Sequence, residues 1–211
     1  MNIESFEVLH KFKSRKNDVY LVKTEGADGS CAEYVHKIFR SAEAASKEAR
    51  LLKELKNGGL NVPHVYYAGG TSIVMEYIRG IVLCDKISEI EKASGTQEAQ
   101  SEEEARIITR ELSSWLRSFY AYGKAAGCSL ILGDVNLRNF IFDGRVWGID
   151  FEEVKTGIIE EDIGKICAFL LTYNPAFTPW KRRFAVSLLE GLSGEITFDM
   201  GIVREEFKKE L

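Results

Sequence analysis

Leu132-Gly133-Asp134-Val135-Asn136-Leu137-Arg138-Asn139, followed by Trp147-Gly148-Ile149-Asp150-Phe151, is the stretch that decides how the rest of this chain is read. It sets an acid, an amide and a second acid in the order that phosphoryl transfer needs. Asp134, five residues before Asn139, can face a substrate hydroxyl. The Asn139 carbonyl and Asp150 can hold Mg²⁺ against the phosphates of a nucleotide. Between the two segments Phe140-Ile141-Phe142 and Arg145-Val146-Trp147 flank Asp143-Gly144, the signature of a hairpin closed by a two-residue primed turn.

Outward from this hairpin the chain divides into a β-rich first part and a helical second part. Runs at Phe6 to Phe12, Val19 to Val22 and Tyr34 to Phe39 are separated by polar turns holding Asn17-Asp18 and residues 26–30, which predicts an antiparallel meander. A helix is expected from about Ser41 to Lys56, with Ala45, Ala49, Leu52 and Leu55 on one stripe, Glu48 beside it and a stop at Gly58-Gly59. Two short strands, Val65 to Ala68 and Ser72 to Glu76, complete a five-stranded sheet.

Beyond the sheet, Ile108, Leu112, Trp115, Leu116 and Phe119 mark one face of a helix over 102–121, which is expected to form the core of the second part. The acidic patch Ala93 to Glu104 is expected to be a solvated loop leading into it. Further helices are expected from about Asp162 to Tyr173, from Thr178 as N-cap with Pro179 at N1 to Leu189, and from about Asp199 onward.

Composition bounds the class. The 211 residues, 45% hydrophobic and 28% charged, are those of an ordinary globular protein with enough chain for a sizeable core. A net charge of −4 gives no electrostatic case for nucleic acid, although Lys11 to Arg40 is locally basic and Glu98 to Glu104 acidic. Cys31, Cys84, Cys128 and Cys167 are widely spaced and suggest buried thiols rather than a zinc site or disulfides. No apolar run approaches the roughly 18 residues of a membrane span, and no basic start leads into an apolar run, so the expectation is a cytoplasmic protein with no membrane partner. His10, His36 and His64 lack metal-ligand spacing, and Trp115, Trp147 and Trp180 read as packing residues.

The order of these parts resembles the protein kinase-like superfamily, in particular its small branch of aminoglycoside and choline phosphotransferases and RIO or Bud32-type kinases. The motif is similar to H-G-D-x-x-x-x-N followed by I-D-F-E, with Leu132 where His is usual and Asn136 where a kinase Lys or a phosphotransferase His touches the γ-phosphate. The resemblance implies an α+β, bilobal kinase-like fold forming a single kinase-like domain. Residues 1–77 would be the N-lobe, with its five-stranded antiparallel sheet and one helix, and residues 78–211 a small, mainly helical C-lobe. It implies ATP and Mg²⁺ as cofactors, Asp134 as catalytic base or orienting group, and Asn139 and Asp150 as metal ligands.

Lys37, on the third strand, would reach the α- and β-phosphates, with Glu48 holding it and Glu43 as competing partner. Met75-Glu76-Tyr77-Ile78 resembles the hinge between lobes, where Met75 backs the adenine pocket and the Glu76 carbonyl and Ile78 N–H meet the purine edge; an edge strand would read the same way. There is no G-x-G-x-x-G, and Ser14 and Lys16 in the first strand turn would add phosphate contacts, or the turn is a plain solvated tip. Asp162 matches an acid that starts a helix and buttresses the catalytic loop, which an N-cap alone would also explain.

Only eleven residues separate Asp150 from Asp162, too few for a long regulated activation segment. The resulting expectation is an ATP- and Mg²⁺-dependent phosphotransferase acting on the hydroxyl of a small molecule or of one dedicated protein partner. A pseudokinase or nucleotide-gated adaptor, and an ATPase that switches a partner, are the alternatives.

Overall fold

A computed structural model describes residues 6–25 and 30–211. The chain forms two compact units, the first ending at Arg79 and the second spanning Gly80–Leu211. The turn expected over 26–30 lies, apart from Ser30, outside the described residues.

The first unit is a five-stranded sheet with one helix. Its strands β1 (Glu7–Phe12), β2 (Asp18–Glu25), β3 (Cys31–Ile38), β4 (Val65–Gly69) and β5 (Ser72–Glu76) lie in the order β1-β2-β3-β5-β4, and every pair is antiparallel. β2 and β3 run longer than their apolar runs because ladder pairing continues through Thr24 and Ala32 to Glu25 and Cys31. β5 is interior to the sheet, not an edge strand.

Helix α1 (Ala42–Asn57) starts where the Ser41 hydroxyl accepts the Ala44 N–H at 3.2 Å and ends at Gly58. Its stripe of Ala45, Glu48, Ala49, Leu52 and Leu55 is buried against β4 and β5. Full burial of a leucine contributes about 1.5–3 kcal/mol, so Leu52 and Leu55 alone anchor the helix to the sheet.

The second unit is mainly helical: α2 (Leu83–Ala93), α3 (Glu98–Ala125), α4 (Ile159–Thr172), α5 (Pro179–Ser193) and α6 (Met200–Glu210). Thr178 caps α5 through its side chain, as expected, and Asp199, where the last helix was expected to begin, caps α6 in the same way. Two starts differ from expectation. Helix α3 begins at Glu98 inside the acidic patch, so the loop expected over Ala93 to Glu104 is confined to residues 94–97 and the rest of the patch from Glu98 on is helical. Helix α4 begins at Ile159, which places Asp162 inside its first turn rather than at its cap.

Short strands carry the central segment. β6 (Ile81–Val82), β8 (Phe140–Phe142) and β9 (Val146–Gly148) form one small sheet, while β7 (Leu130–Ile131) pairs with β10 (Lys155–Thr156). The β8–β9 loop has three residues, since Phe142 pairs with Val146. The Asp143 carboxylate explains the extra residue, because it accepts both the Arg145 N–H at 3.2 Å and the Trp147 indole N–H at 2.9 Å.

An aromatic cluster sits behind this hairpin. Trp115 stacks on Phe119 at 5.7 Å and meets Phe140 edge-on at 5.3 Å, while Phe151 lies 6.4 Å from Phe119. Phe140 follows Asn139 and Phe151 follows Asp150, so the two polar residues are held by the buried ring next to each. At Gly148 an added Cβ would collide with the Trp115 ring, so the glycine is what lets the strand pass so close to α3.

Candidate active site

In the first unit β3 delivers Lys37 and α1 delivers Glu48. The Lys37 ammonium donates to both Glu48 carboxylate oxygens, at 2.9 and 2.8 Å, with side-chain exposures of only 6% and 0%. Two charges this deeply buried are tolerable because they neutralise one another and are hydrogen-bonded. The ammonium also sits 4.7 Å from the centre of the Phe39 ring. Glu43 is exposed on the first turn of α1, and Glu48 is the acid that Lys37 meets.

Met75 and Ile78 are buried. The Glu76 side chain is occupied within the sheet unit, where its carboxylate accepts the His64 N–H at 3.0 Å and the Lys56 ammonium at 3.3 Å. Its backbone N–H donates to the His64 carbonyl at 2.8 Å. Ser14 and Lys16 are exposed in the β1–β2 turn, and the Lys16 carbonyl accepts the Arg40 Nε–H at 2.9 Å, tying that turn to the end of β3.

In the second unit the catalytic-type loop rests on α4. Asp162, fully buried, accepts the Leu132 N–H at 2.7 Å and the Gly133 N–H at 3.0 Å, and the Tyr120 hydroxyl donates to it at 3.3 Å. One turn on, the Lys165 ammonium donates to the Gly133 carbonyl at 2.9 Å. The Leu132-Gly133 peptides are thereby gripped by an acid and a base from one helix face.

Gly133 has φ +76°, and an added Cβ would stand 2.6 Å from the Glu153 carbonyl oxygen. Only glycine suits both the left-handed backbone and that approach. Leu132, where the resembling motif has His, is a buried apolar side chain.

Burial pushes the Asp162 carboxyl up to about 6, against the pull of the Leu132 and Gly133 N–H groups and the Tyr120 hydroxyl. The buried thiols of Cys84 and Cys167 are likewise pushed up, to about 11 and about 12, and behave as apolar filling at neutral pH. Cys31 is exposed and Cys128 half-buried, so the expectation of four buried thiols holds for two.

Beyond Gly133 the chain turns outward. Asp134 is exposed, its Oδ1 accepts the Asn136 N–H at 3.2 Å, and its carbonyl accepts the Asn139 side-chain NH₂ at 3.2 Å. The Asn139 carbonyl in turn accepts the Ile149 N–H at 3.0 Å, one residue before Asp150. Asp134, Asn139 and Asp150 therefore share one hydrogen-bonded backbone frame. Because the Asn139 NH₂ is engaged with Asp134, its Oδ1 points away from that bond.

Tyr173 and Lys165 also touch this loop, although their positions carry no motif. The signal available in sequence was spacing alone, since Lys165 lies one helical turn after Asp162.

These features define a bilobal protein kinase-like fold. The solved ternary complex of streptomycin, ATP and APH(2")-IIa matches all of this chain and 83% of its own, with a TM-score of 0.67 at 15% identity. A family model described as the RIO domain matches residues 7–175, and the chain belongs to that family. A relative from Pyrococcus abyssi, the KEOPS complex subunit Bud32, is 31% identical over 112 residues, which are 52% of this chain and 44% of that protein. The chain therefore spans less than half the length of that relative. No helix among the described residues is long and apolar enough to cross a membrane.

Proposed function

We propose that this chain uses ATP and Mg²⁺ to transfer the γ-phosphate to a hydroxyl of a small molecule or of one dedicated protein partner. The observation that carries the reading is the backbone frame joining Asp134, Asn139 and Asp150. Asp134 orients the acceptor hydroxyl. As the bond from that oxygen to phosphorus forms, the bond to the ADP leaving oxygen breaks, and the hydroxyl proton passes late to the Asp134 carboxylate, because the transition state is loose.

Lys37, held by Glu48, supplies a fixed positive charge for the α- and β-phosphates. Met75, Glu76 and Ile78 would line the adenine side, and Ser14 and Lys16 would meet phosphate from the β1–β2 turn. The donors fit Mg²⁺, since Asp150 offers a carboxylate and Asn139 an amide oxygen turned away from its own hydrogen bond, both hard ligands. When bound, the ion neutralises phosphate charge.

Turnover of ATP with Mg²⁺ over a panel of hydroxylated acceptors tests this reading. Wild-type transfer lost in Asp134→Ala and in Asp150→Ala, with the fold intact, supports it; full activity in either variant refutes it. The similarity to Bud32, a subunit of a complex, favours one second reading, an ATPase that switches a protein partner. Partner-stimulated hydrolysis without a phosphorylated acceptor would select it.

A further inference from the structure

Asn136 stands two residues after Asp134, and its side chain is caught between two donors. Its Oδ1 accepts the Arg138 backbone N–H at 3.0 Å and the Tyr173 hydroxyl at 2.6 Å. A backbone N–H can only donate, so the oxygen of the amide must be the atom that faces it. The same oxygen then takes the Tyr173 proton. The NH₂ group is left pointing out of this pocket, and no acceptor among the described residues takes it.

Tyr173 is itself well anchored. It ends α4, and its carbonyl accepts the ammonium of Lys181 at 2.7 Å. Lys181 is 1% exposed and also bonds the Pro175 carbonyl at 2.5 Å and the Glu91 carboxylate at 3.1 Å. Burial pushes the Tyr173 hydroxyl up to about 12, so it keeps its proton and donates throughout the neutral range.

The loop thus presents two amides in opposite senses. Asn139 turns its oxygen away from the frame, and Asn136 turns its NH₂ away. An oxygen suits a cation and an NH₂ suits an anion.

We infer that Tyr173 is a positioning residue which, by holding the Asn136 oxygen, turns the Asn136 NH₂ toward the transferring phosphoryl oxygens as an uncharged hydrogen-bond donor. The inference rests on the phosphotransferase or ATPase reading and adds to it a specific contact. Asn136 is itself uncharged, and a donor fixed by Tyr173 supplies stabilisation through a hydrogen bond rather than through a charge of its own. A neutral donor is weaker than an ammonium, so its orientation has to be held.

The test uses the full chain as wild type, Tyr173→Phe, Asn136→Ala and the double variant, with ATP turnover and thermal midpoint measured for each. Tyr173→Phe removes one hydroxyl from a retained ring and is expected to lower kcat about 5- to 10-fold with KM for ATP nearly unchanged. If Tyr173 acts through Asn136, the double variant is no slower than Asn136→Ala. In parallel, the side-chain NH₂ signals of ¹⁵N-labelled Asn136 should shift when a non-hydrolysable ATP analogue and Mg²⁺ are added to wild type, and should not shift in Tyr173→Phe.

Multiplicative losses in the double variant, a Tyr173→Phe protein with lowered midpoint but unchanged kcat, or wild-type Asn136 signals indifferent to the analogue would each overturn the inference. Absence of any wild-type turnover would instead defeat the functional reading, and the amide signals would still decide where Asn136 points.

Discussion

Lys37 and Glu48 in the sheet unit lie 2.8 Å apart with side chains 6% and 0% exposed, whereas Asp134 and Asp150 in the helical unit are exposed and depend on backbone bonds for their place. The first pair is held by its own charges: each needs the other, and neither has water to fall back on. The second pair is exposed and set in place by peptide groups, by Asp162 and by the aromatic cluster, so removing either carboxylate should disturb the fold less than breaking the buried pair. Proposed site residues that double as structure and proposed site residues that are mounted on structure should respond differently to the same kind of substitution.

The largest effect is expected at Lys37. Lys37→Ala leaves the Glu48 carboxylate buried without its counter-ion and should destabilise the protein by about 3–5 kcal/mol, as read by chemical denaturation, besides abolishing turnover. Lys37→Met combined with Glu48→Leu should recover most of that stability and none of the activity. A stable single variant would show that the pair is not coupled to the fold.

Next come Asp134→Ala and Asp150→Ala, each expected to lower turnover by at least about 10²- to 10³-fold with stability changed by no more than about 0.5 kcal/mol. A large loss of stability in either would erase the contrast between the two regions.

Asp162 sharpens the comparison because it is buried like Glu48 yet works through the loop. Burial pushes its carboxyl up from the ordinary 3.8 to about 6, so the folded state holds its proton more tightly than the unfolded one. Its contribution to stability is therefore fully present below about 3.8 and is lost as pH rises through about 6. Activity should move the opposite way, since a neutral carboxyl accepts weaker bonds from Leu132 and Gly133. The rate is expected to fall as pH drops below about 6, in a window where this group does not destabilise the fold. Asp162→Asn, which sets an NH₂ against donors, should flatten that limb and cost about 1–3 kcal/mol. The smallest effect belongs to Glu43→Ala, within about 0.5 kcal/mol and without change in turnover, because Glu43 is exposed and Lys37 is paired elsewhere.

How legible these regions were differs for physical reasons. Helix α1 could be read to within a residue, because Ser41 caps it, its stripe is regular and glycines end it. Helix α2 was not foreseen. It starts at Val82 with no capping side chain, although Leu83, Cys84, Ile87 and Ile90 do follow helical spacing. The starts of α3 and α4 were misjudged for the same reason, since Gln97 and Ile158 make no cap hydrogen bond.

At the site, the residues of the Asp134 to Asp150 segment could be singled out because loop and hairpin are contiguous in sequence. The partners that steady them come from farther along: Asp162, Lys165 and Tyr173 reach the loop from one face of α4 and from its end, 29 to 37 residues away from the groups they hold. Side-chain hydrogen bonds of that range leave no pattern in a single chain. Asp162 was the exception, as its place matched a known element, and the structure separates its two readings by burying it under Leu132 rather than at a helix cap.

The grip on Leu132 and Gly133 also bears on how such a chain could change over time. Amide N–H groups are common to every residue except proline, so the hold exerted by Asp162 is blind to which side chain stands at 132 and asks only that it be apolar and fit. The position is therefore open to drift among aliphatic residues, closed to proline, and uninformative to anyone who recognises such loops by a histidine. Position 133, by contrast, is confined to one residue by backbone shape. A library randomised at these two neighbours should return a broad apolar set at the first and glycine alone at the second.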